Sequence, residues 1–159
     1  MFRTCILTDS TAIYTKPAYP GIEHVHGPAH RPPTPLAPRR DAFRQTLVNP
    51  GTRYPEGGAV LGSSYLNSAV ENARLAASAL KNPLNIQVID SQTTAVGLGL
   101  LVQAGAESVQ RGMLVQDVCN QVRGLLRNIY AIFCLPDLTT LYKAGQIDQA
   151  QAIVGEMLG

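Results

Sequence analysis

A chain of 159 residues with 45% hydrophobic and only 15% charged side chains is long enough for one compact domain, which at this size buries roughly 68–70% of the surface its unfolded form exposes. That composition excludes a disordered tail and a solvated coiled coil, and the shortness of its apolar runs excludes a membrane span. Thirteen basic against eleven acidic residues leave a net charge of +2, too weak a field to draw nucleic acid or anionic lipid by charge alone.

In chain order, Thr4–Leu7 reads as a first strand, entered directly from an N-terminus without the apolar region of a secretory signal, which points to a cytoplasmic protein. An irregular belt over 16–58 follows and holds nine of the eleven prolines and all three histidines. Within it only a strand at Gly21–Val25 and a helix at Arg40–Val48 stand out. From Ala59 onward short apolar runs alternate with stretches of 3.6 periodicity, the pattern of βα units and of a mainly parallel sheet with helices on both faces. Further strands are expected at Ala59–Leu61, Ile86–Ile89 and Ile129–Cys134. Leu66, Val70, Ala73, Ala76, Ala77 and Leu80 recur at spacings of three and four behind a Ser-Ser pair, which predicts a helix over Ser63–Leu80. A second helix runs over Thr93–Arg111 and is closed by Gly112; its Gly97, Gly99 and Ala104 permit close approach of a backbone or a ligand. A third covers Val115–Arg127, with Val115, Val118, Val122, Leu125 and Leu126 on one stripe. Asp137 caps a short helix over Leu138–Ala144, and Asp148–Leu158 is the last. Residues 1–159 thus read as one α/β domain.

Cys5, Cys119 and Cys134 are odd in number, widely separated and each set in an apolar segment, so they read as buried thiols rather than a disulfide or a metal site. His24, His26 and His30 are the one cluster with metal-ligand chemistry, His24 and His26 sharing a face at alternate strand positions. No carboxylate or cysteine completes the shell except Glu23, on the opposite face, so exposed loop histidines are the better reading and no metal is assigned. Arg31, Arg39, Arg40 and Arg44 concentrate positive charge, as a solvated face or a lure for an anionic headgroup or partner. With 6% aromatics, no tryptophan and none interleaved among these arginines, a base-stacking surface is excluded.

Two strands end alike, Ile6-Leu7-Thr8-Asp9-Ser10 and Val88-Ile89-Asp90-Ser91, and Ser63-Ser64 follows a third. In a parallel sheet ligands bind outside the carboxyl ends of the strands, where helix N-termini converge, so three hydroxyl-rich ends are expected to meet at one edge. The competing reading is that these residues only cap turns and helices. No Gly-x-Ser-x-Gly elbow, Ser-His-Asp set or phosphate loop is present, which indicates binding rather than catalysis and no cofactor.

Taken together, Ile6-Leu7-Thr8-Asp9-Ser10-Thr11-Ala12, the run from Ser63-Ser64-Tyr65-Leu66-Asn67 to Ala73, Val88-Ile89-Asp90-Ser91 with its glycine-dotted helix, and Leu138-Thr139-Thr140-Leu141-Tyr142-Lys143-Ala144-Gly145-Gln146-Ile147 resemble the DegV family of fatty-acid-binding proteins. The resemblance covers most of Thr4–Thr15 and nearly all of Ala59–Gly159, and it matches the first lobe of that family, with a shortened N-terminal region and no second lobe. It implies an α/β fold and non-enzymatic binding of a fatty acid or similar amphiphile. The family holds the lipid carboxylate with a threonine in a Thr-Ser-Gln-Pro-Ser loop and with serines of a Ser-Ser-x-Leu-Ser-Gly-Thr-Tyr segment. By resemblance those roles fall to Thr34, in Thr34-Pro35-Leu36-Ala37-Pro38 ahead of a helix beginning near Asp41, and to Ser63 and Ser64. Asn67 stands where the third serine is expected, and Ser68 and Ala69 replace the glycine and threonine. The Val96–Val102 helix face and Leu66 would form the apolar wall, and a fatty-acid kinase is the partner the family implies.

The second lobe ordinarily forms the opposite wall of the acyl tunnel. Each buried methylene contributes about 0.8 kcal/mol, so a one-walled groove forfeits much of its affinity for a long chain. The chain then closes the groove as a homodimer, binds shorter or different ligands, or serves as a structural or regulatory interaction domain that has lost lipid binding.

Overall fold

Apolar runs too short for helices and flanked by amphipathic stretches assemble into one parallel sheet in the computed structural model, which describes residues 4–15, 22–25, 37–48, 55–80, 85–132 and 137–158. The strands are β1 (Thr4–Asp9), β2 (Ile22–Val25), β3 (Glu56–Leu61) and β4 (Asn85–Asp90). They lie in the order β2-β1-β3-β4 with every neighbouring pair parallel. Leu7 is in register with Ala59, and Ala59 with Val88. The helices are α1 (Arg40–Val48), α2 (Ala69–Ser78), α3 (Ala95–Gln110), α4 (Val115–Leu125), α5 (Thr139–Lys143) and α6 (Gln149–Leu158). No helix among the described residues is long and apolar enough to cross a membrane.

Because side chains alternate along a strand, the sheet feeds two cores. Ile6, Val60 and Ile89 meet α3 and α4 through Leu98, Leu101, Val102, Val118 and Val122. Cys5, Leu7, Ala59 and Leu61 meet Phe43 of α1 and Val70, Ala73 and Ala76 of α2. Every residue of β1 is buried, as a central strand covered on both faces requires. The α4 stripe is as expected at Val115, Val118 and Val122, which are fully buried together with Cys119. A buried thiol, not joined in a disulfide, is also found at Cys5, while Cys134 lies outside the described residues. Helix α6 opens with a reciprocal cap: Gln151 N–H donates to Asp148 Oδ1 at 2.8 Å and Asp148 N–H to Gln151 Oε1 at 2.9 Å. At α5 the Thr139 N–H donates to Asp137 Oδ1 at 2.8 Å.

Two expected elements differ. The helix predicted over Ser63–Leu80 begins only at Ala69, because Ser63–Ser68 is folded into turns held by other groups: Leu66 N–H donates to Ser63 O at 3.0 Å, and Ala69 N–H to Asn67 Oδ1 at 2.8 Å. The described part of the strand predicted over Ile129–Cys134, residues 129–132, pairs with no strand. It lies along the start of α3, with Tyr130 and Ile132 almost fully exposed.

The chain leaving β1 straps across α3. Ile13 N–H donates to Ala95 O at 3.0 Å, Ala12 forms a parallel bridge with Ala95, and Tyr14 packs against the α3–α4 core. Burial, and then the negative charge of Asp9, push the Tyr14 phenol up to about 12. An unfolded phenol ionises near pH 10, so the folded state keeps this contribution below about pH 10 and loses it as pH rises toward 12. Tyr14→Phe is therefore expected to lose less stability than the parent between pH 9 and pH 11 in urea titrations; equal losses would contradict the partly buried position of the phenol.

Candidate functional site

The carboxyl ends of β1, β3 and β4 converge at one edge, and two aspartates tie them together. Asp9, 1% exposed, accepts Thr11 N–H at 2.9 Å and the Thr11 hydroxyl at 2.5 Å on Oδ1, and Gly62 N–H at 2.8 Å on Oδ2. Asp90 accepts Ser64 N–H at 3.2 Å and Gln92 N–H at 3.0 Å on Oδ1, and the Ser64 hydroxyl at 2.5 Å on Oδ2. Backbone bonds finish the lacing: Ser91 N–H donates to Leu61 O at 3.0 Å and Ser63 N–H to Thr93 O at 2.8 Å. The three hydroxyl-rich ends meet as expected, while the aspartates themselves serve the turns. A carboxylate with two or three N–H donors is an effective organiser of such loops.

A cleft of about 310 Å³ opens at this edge, lined by Ser63, Tyr65, Leu66, Gln92, Thr93 and Thr94 and closed by Ile129 and Ala131. Thr94, Ile129 and Ala131 are shared with an adjoining trough of about 410 Å³, whose further walls include Val96, Gly97, Leu100 and Ile132. The cleft carries four hydroxyls, and the trough sets Val96, Leu100 and Ile132 beside Asn128 and Tyr130, so both offer apolar wall with a few polar groups. The two clefts meet where α3 begins, and the backbone there is strained: Gln92 and Ala95 have φ of 53° and 51°.

Ser63 is buried and lines the cleft; its Oγ accepts Tyr65 N–H at 3.3 Å, and its own proton has no acceptor among the described residues. Ser64 is exposed and its proton goes to Asp90, so it braces the turn. Asn67 spends its amide oxygen on the start of α2 and leaves its amide nitrogen without a bond among the described residues. Thr34 lies outside the described residues, as do His26 and His30; of the histidines only the backbone of His24, in β2, is described. Among the described residues no group of three His, Cys, Asp or Glu is placed to hold a metal. Downstream of Thr34, Pro38 O accepts the Asn72 amide at 2.9 Å, which holds the chain ahead of α1 against α2. Arg39, Arg40 and Arg44 are exposed.

The expected Val96–Val102 wall is divided, because consecutive helical residues point a hundred degrees apart. Val96 and Leu100 face the trough and are about two-fifths exposed, whereas Leu98, Leu101 and Val102 are fully buried in the sheet core. Leu66 is at the cleft, as expected. Ile129, Ala131 and Thr93 line the same cleft and were not anticipated there; the apolar 129–132 run carried a signal, read as a strand, and Thr93 carried none.

The DegV family model, described as an uncharacterised protein family, matches residues 41–159. A DegV domain-containing protein of Clostridium perfringens is 28% identical over 133 residues, a span covering 79% of this chain and 46% of that protein. This chain therefore spans about half the length of the curated relatives it matches. Among solved structures, a DegV family protein from Thermus thermophilus described by its fatty acid binding superposes with a TM-score of 0.79 at 22% identity, over 96% of this chain and 64% of its own. The Fatty Acid Kinase (Fak) B3 protein of Streptococcus pneumoniae, loaded with linoleic acid, superposes with a TM-score of 0.73 at 15% identity, over 96% of this chain and 64% of its own. Since the family match spans about three quarters of the residues and the fold is that of the solved DegV structures, this chain belongs to the DegV family.

Proposed function

We propose that this chain binds a fatty acid or similar amphiphile without transforming it, seating the carboxylate at the strand ends and the acyl chain in the trough beside α3. The observation that carries this reading is the pairing of a cleft lined by hydroxyls, Ser63 among them, with a largely apolar trough that continues from it past Ile129 and Ala131. Relatives of the same fold are described as fatty acid binding. Neutral hydroxyls hold a carboxylate without burying a full counter-charge, and an apolar wall gains about 0.8 kcal/mol for each methylene it covers. In this reading Ser63 donates to the carboxylate, Ser64 braces the loop through Asp90, Asn67 offers its amide nitrogen, and Thr34 completes the set. Presentation of the bound acid to a kinase in the cytoplasm is part of the same proposal, supported by the shared fold with the Fatty Acid Kinase (Fak) B3 protein.

The test is native mass spectrometry of delipidated protein mixed with oleate. One equivalent bound, and loss of that species in Ala131→Trp, which fills the junction of the two clefts from an exposed position, are expected. A parent chain that takes up no fatty acid overturns the reading.

The near-complete exposure of Tyr130 and Ile132 favours a second reading, a homodimerising interaction domain that covers this strip with another copy. It predicts a concentration-dependent dimer that Tyr130→Ser with Ile132→Ser dissolves and oleate leaves unchanged.

A further inference from the structure

Buried hydroxyls in folded proteins nearly always find a partner, and the cost of leaving one unpaired is about 1–3 kcal/mol. Among the described residues two side-chain atoms break this rule, Thr8 Oγ1 and Thr93 Oγ1. Thr8 is inside β1, fully buried, and lines neither cleft. Thr93 is 8% exposed and lines the hydroxyl-rich cleft.

The surroundings of Thr93 enclose its hydroxyl without giving it a partner among the described residues. Its backbone is fully engaged: the N–H donates to Ser91 Oγ at 3.3 Å, and the carbonyl accepts the Ser91 hydroxyl at 3.1 Å and Ser63 N–H at 2.8 Å. The side chain is thereby fixed in place while its oxygen bonds to nothing. Directly above it is Gly97, where a Cβ would stand 2.6 Å from Thr93 Oγ1 and 3.1 Å from Ile129 Cγ2. Glycine at this helical position lets α3 pack directly against the hydroxyl, and any larger residue would push on it. Gly97 lines the trough, Thr93 the cleft and Ile129 both, so Thr93 stands beside the seam between them.

Carboxylate recognition needs donated protons, and a hydroxyl committed elsewhere cannot supply one. Ser64 has given its proton to Asp90. Ser63 and Thr93, joined through the Ser63 N–H to Thr93 carbonyl bond, line the cleft beside the hydroxyls of Tyr65 and Thr94, and of these four only the Thr93 oxygen is buried without a partner among the described residues. A carboxylate has two oxygens to satisfy. We infer that Thr93 is a further headgroup-binding and specificity-determining residue, its buried hydroxyl donating to one carboxylate oxygen beside Ser63 and selecting a free acid over its neutral ester. This assignment rests on the proposed function and adds a residue to that site. The ligand repairs a defect that the empty protein tolerates, so affinity is gained where stability is given up.

The test measures binding of oleate and of methyl oleate by displacement of a fluorescent fatty acid, together with urea midpoints of the ligand-free proteins. Thr93→Val keeps the side-chain shape and removes the hydroxyl. It is expected to weaken oleate binding about tenfold, as loss of a hydrogen bond to a charged group does, to leave methyl oleate nearly unchanged, and to hold or raise the urea midpoint. Thr93→Ser restores the preference for the acid. Thr8→Val, which removes the other unpaired hydroxyl away from the clefts, raises the midpoint and leaves both affinities alone. If the parent binds oleate and Thr93→Val binds it equally well, with the same preference over the ester, the assignment is overturned while fatty acid binding stands. A parent that binds neither ligand overturns both.

Discussion

Alanine at Gly99 is expected to lower stability by about 2–3 kcal/mol, although alanine is the better helix former by about 1 kcal/mol. A Cβ at this position would stand 1.9 Å from Ile13 O and 2.7 Å from its carbonyl carbon. The obstacle is backbone, which cannot rotate aside as a side chain does. Relief requires lifting the strap that follows β1, and with it the Ile13 N–H bond to Ala95 O and the Ala12–Ala95 bridge. Because Thr94 and Ala95 also line the trough, the lifted strap disturbs the site as well. Gly124→Ala in α4 is the control: a Cβ there meets nothing within 4 Å, and its expected effect is a gain of up to about 1 kcal/mol. Urea titration of both variants decides the matter; a Gly99→Ala protein as stable as the Gly124→Ala protein would contradict the contact between the strap and α3.

Asp9→Ala is expected to cost about 3 kcal/mol or more, since each buried donor left unsatisfied costs about 1–3 kcal/mol. Three donors depend on that carboxylate, two from Thr11 and one from Gly62. Gly62 precedes Ser63, so the loss also unfastens the hydroxyl that lines the cleft. Asp9→Asn preserves one acceptor oxygen and falls between the parent and Asp9→Ala. Thermal unfolding of the three proteins measures this, and a change under 1 kcal/mol in Asp9→Ala would show that the ends of β1 and β3 are held by other means.

The strands and both core faces were legible because their residues answer to one demand, burial against a helix. Val115, Val118 and Val122 repeat at helical spacing and are buried where the spacing puts them. The meeting of Asp9, Ser63-Ser64 and Asp90 was legible too, since polar residues closing apolar runs in a parallel sheet all arrive at one edge. Both misread elements involve apolar residues that line the clefts, Leu66 and Ile132 there alone and Ile129 while also packing on the core. Leu66 sits four before Val70 and so reads as the first turn of α2, yet it is 59% exposed at the cleft mouth. Ile129 and Ile132 have strand-forming side chains, yet they flank the trough. Periodicity reports that a residue is apolar at a given spacing and cannot say whether its neighbour is protein or ligand. Thr93 was illegible for another reason: an unpaired hydroxyl is a property of its surroundings, set by Gly97 four residues on and by Ile129 from a distant part of the chain.

The most direct measurement is a crystal structure of this chain grown with oleate. The carboxylate is expected within hydrogen-bond reach of Ser63 Oγ and Thr93 Oγ1, with the acyl chain running past Gly97 between Leu100 and Ile129. Oleate seated elsewhere on the molecule, or an unfilled cleft in protein that mass spectrometry shows to be lipid-free, would contradict the account.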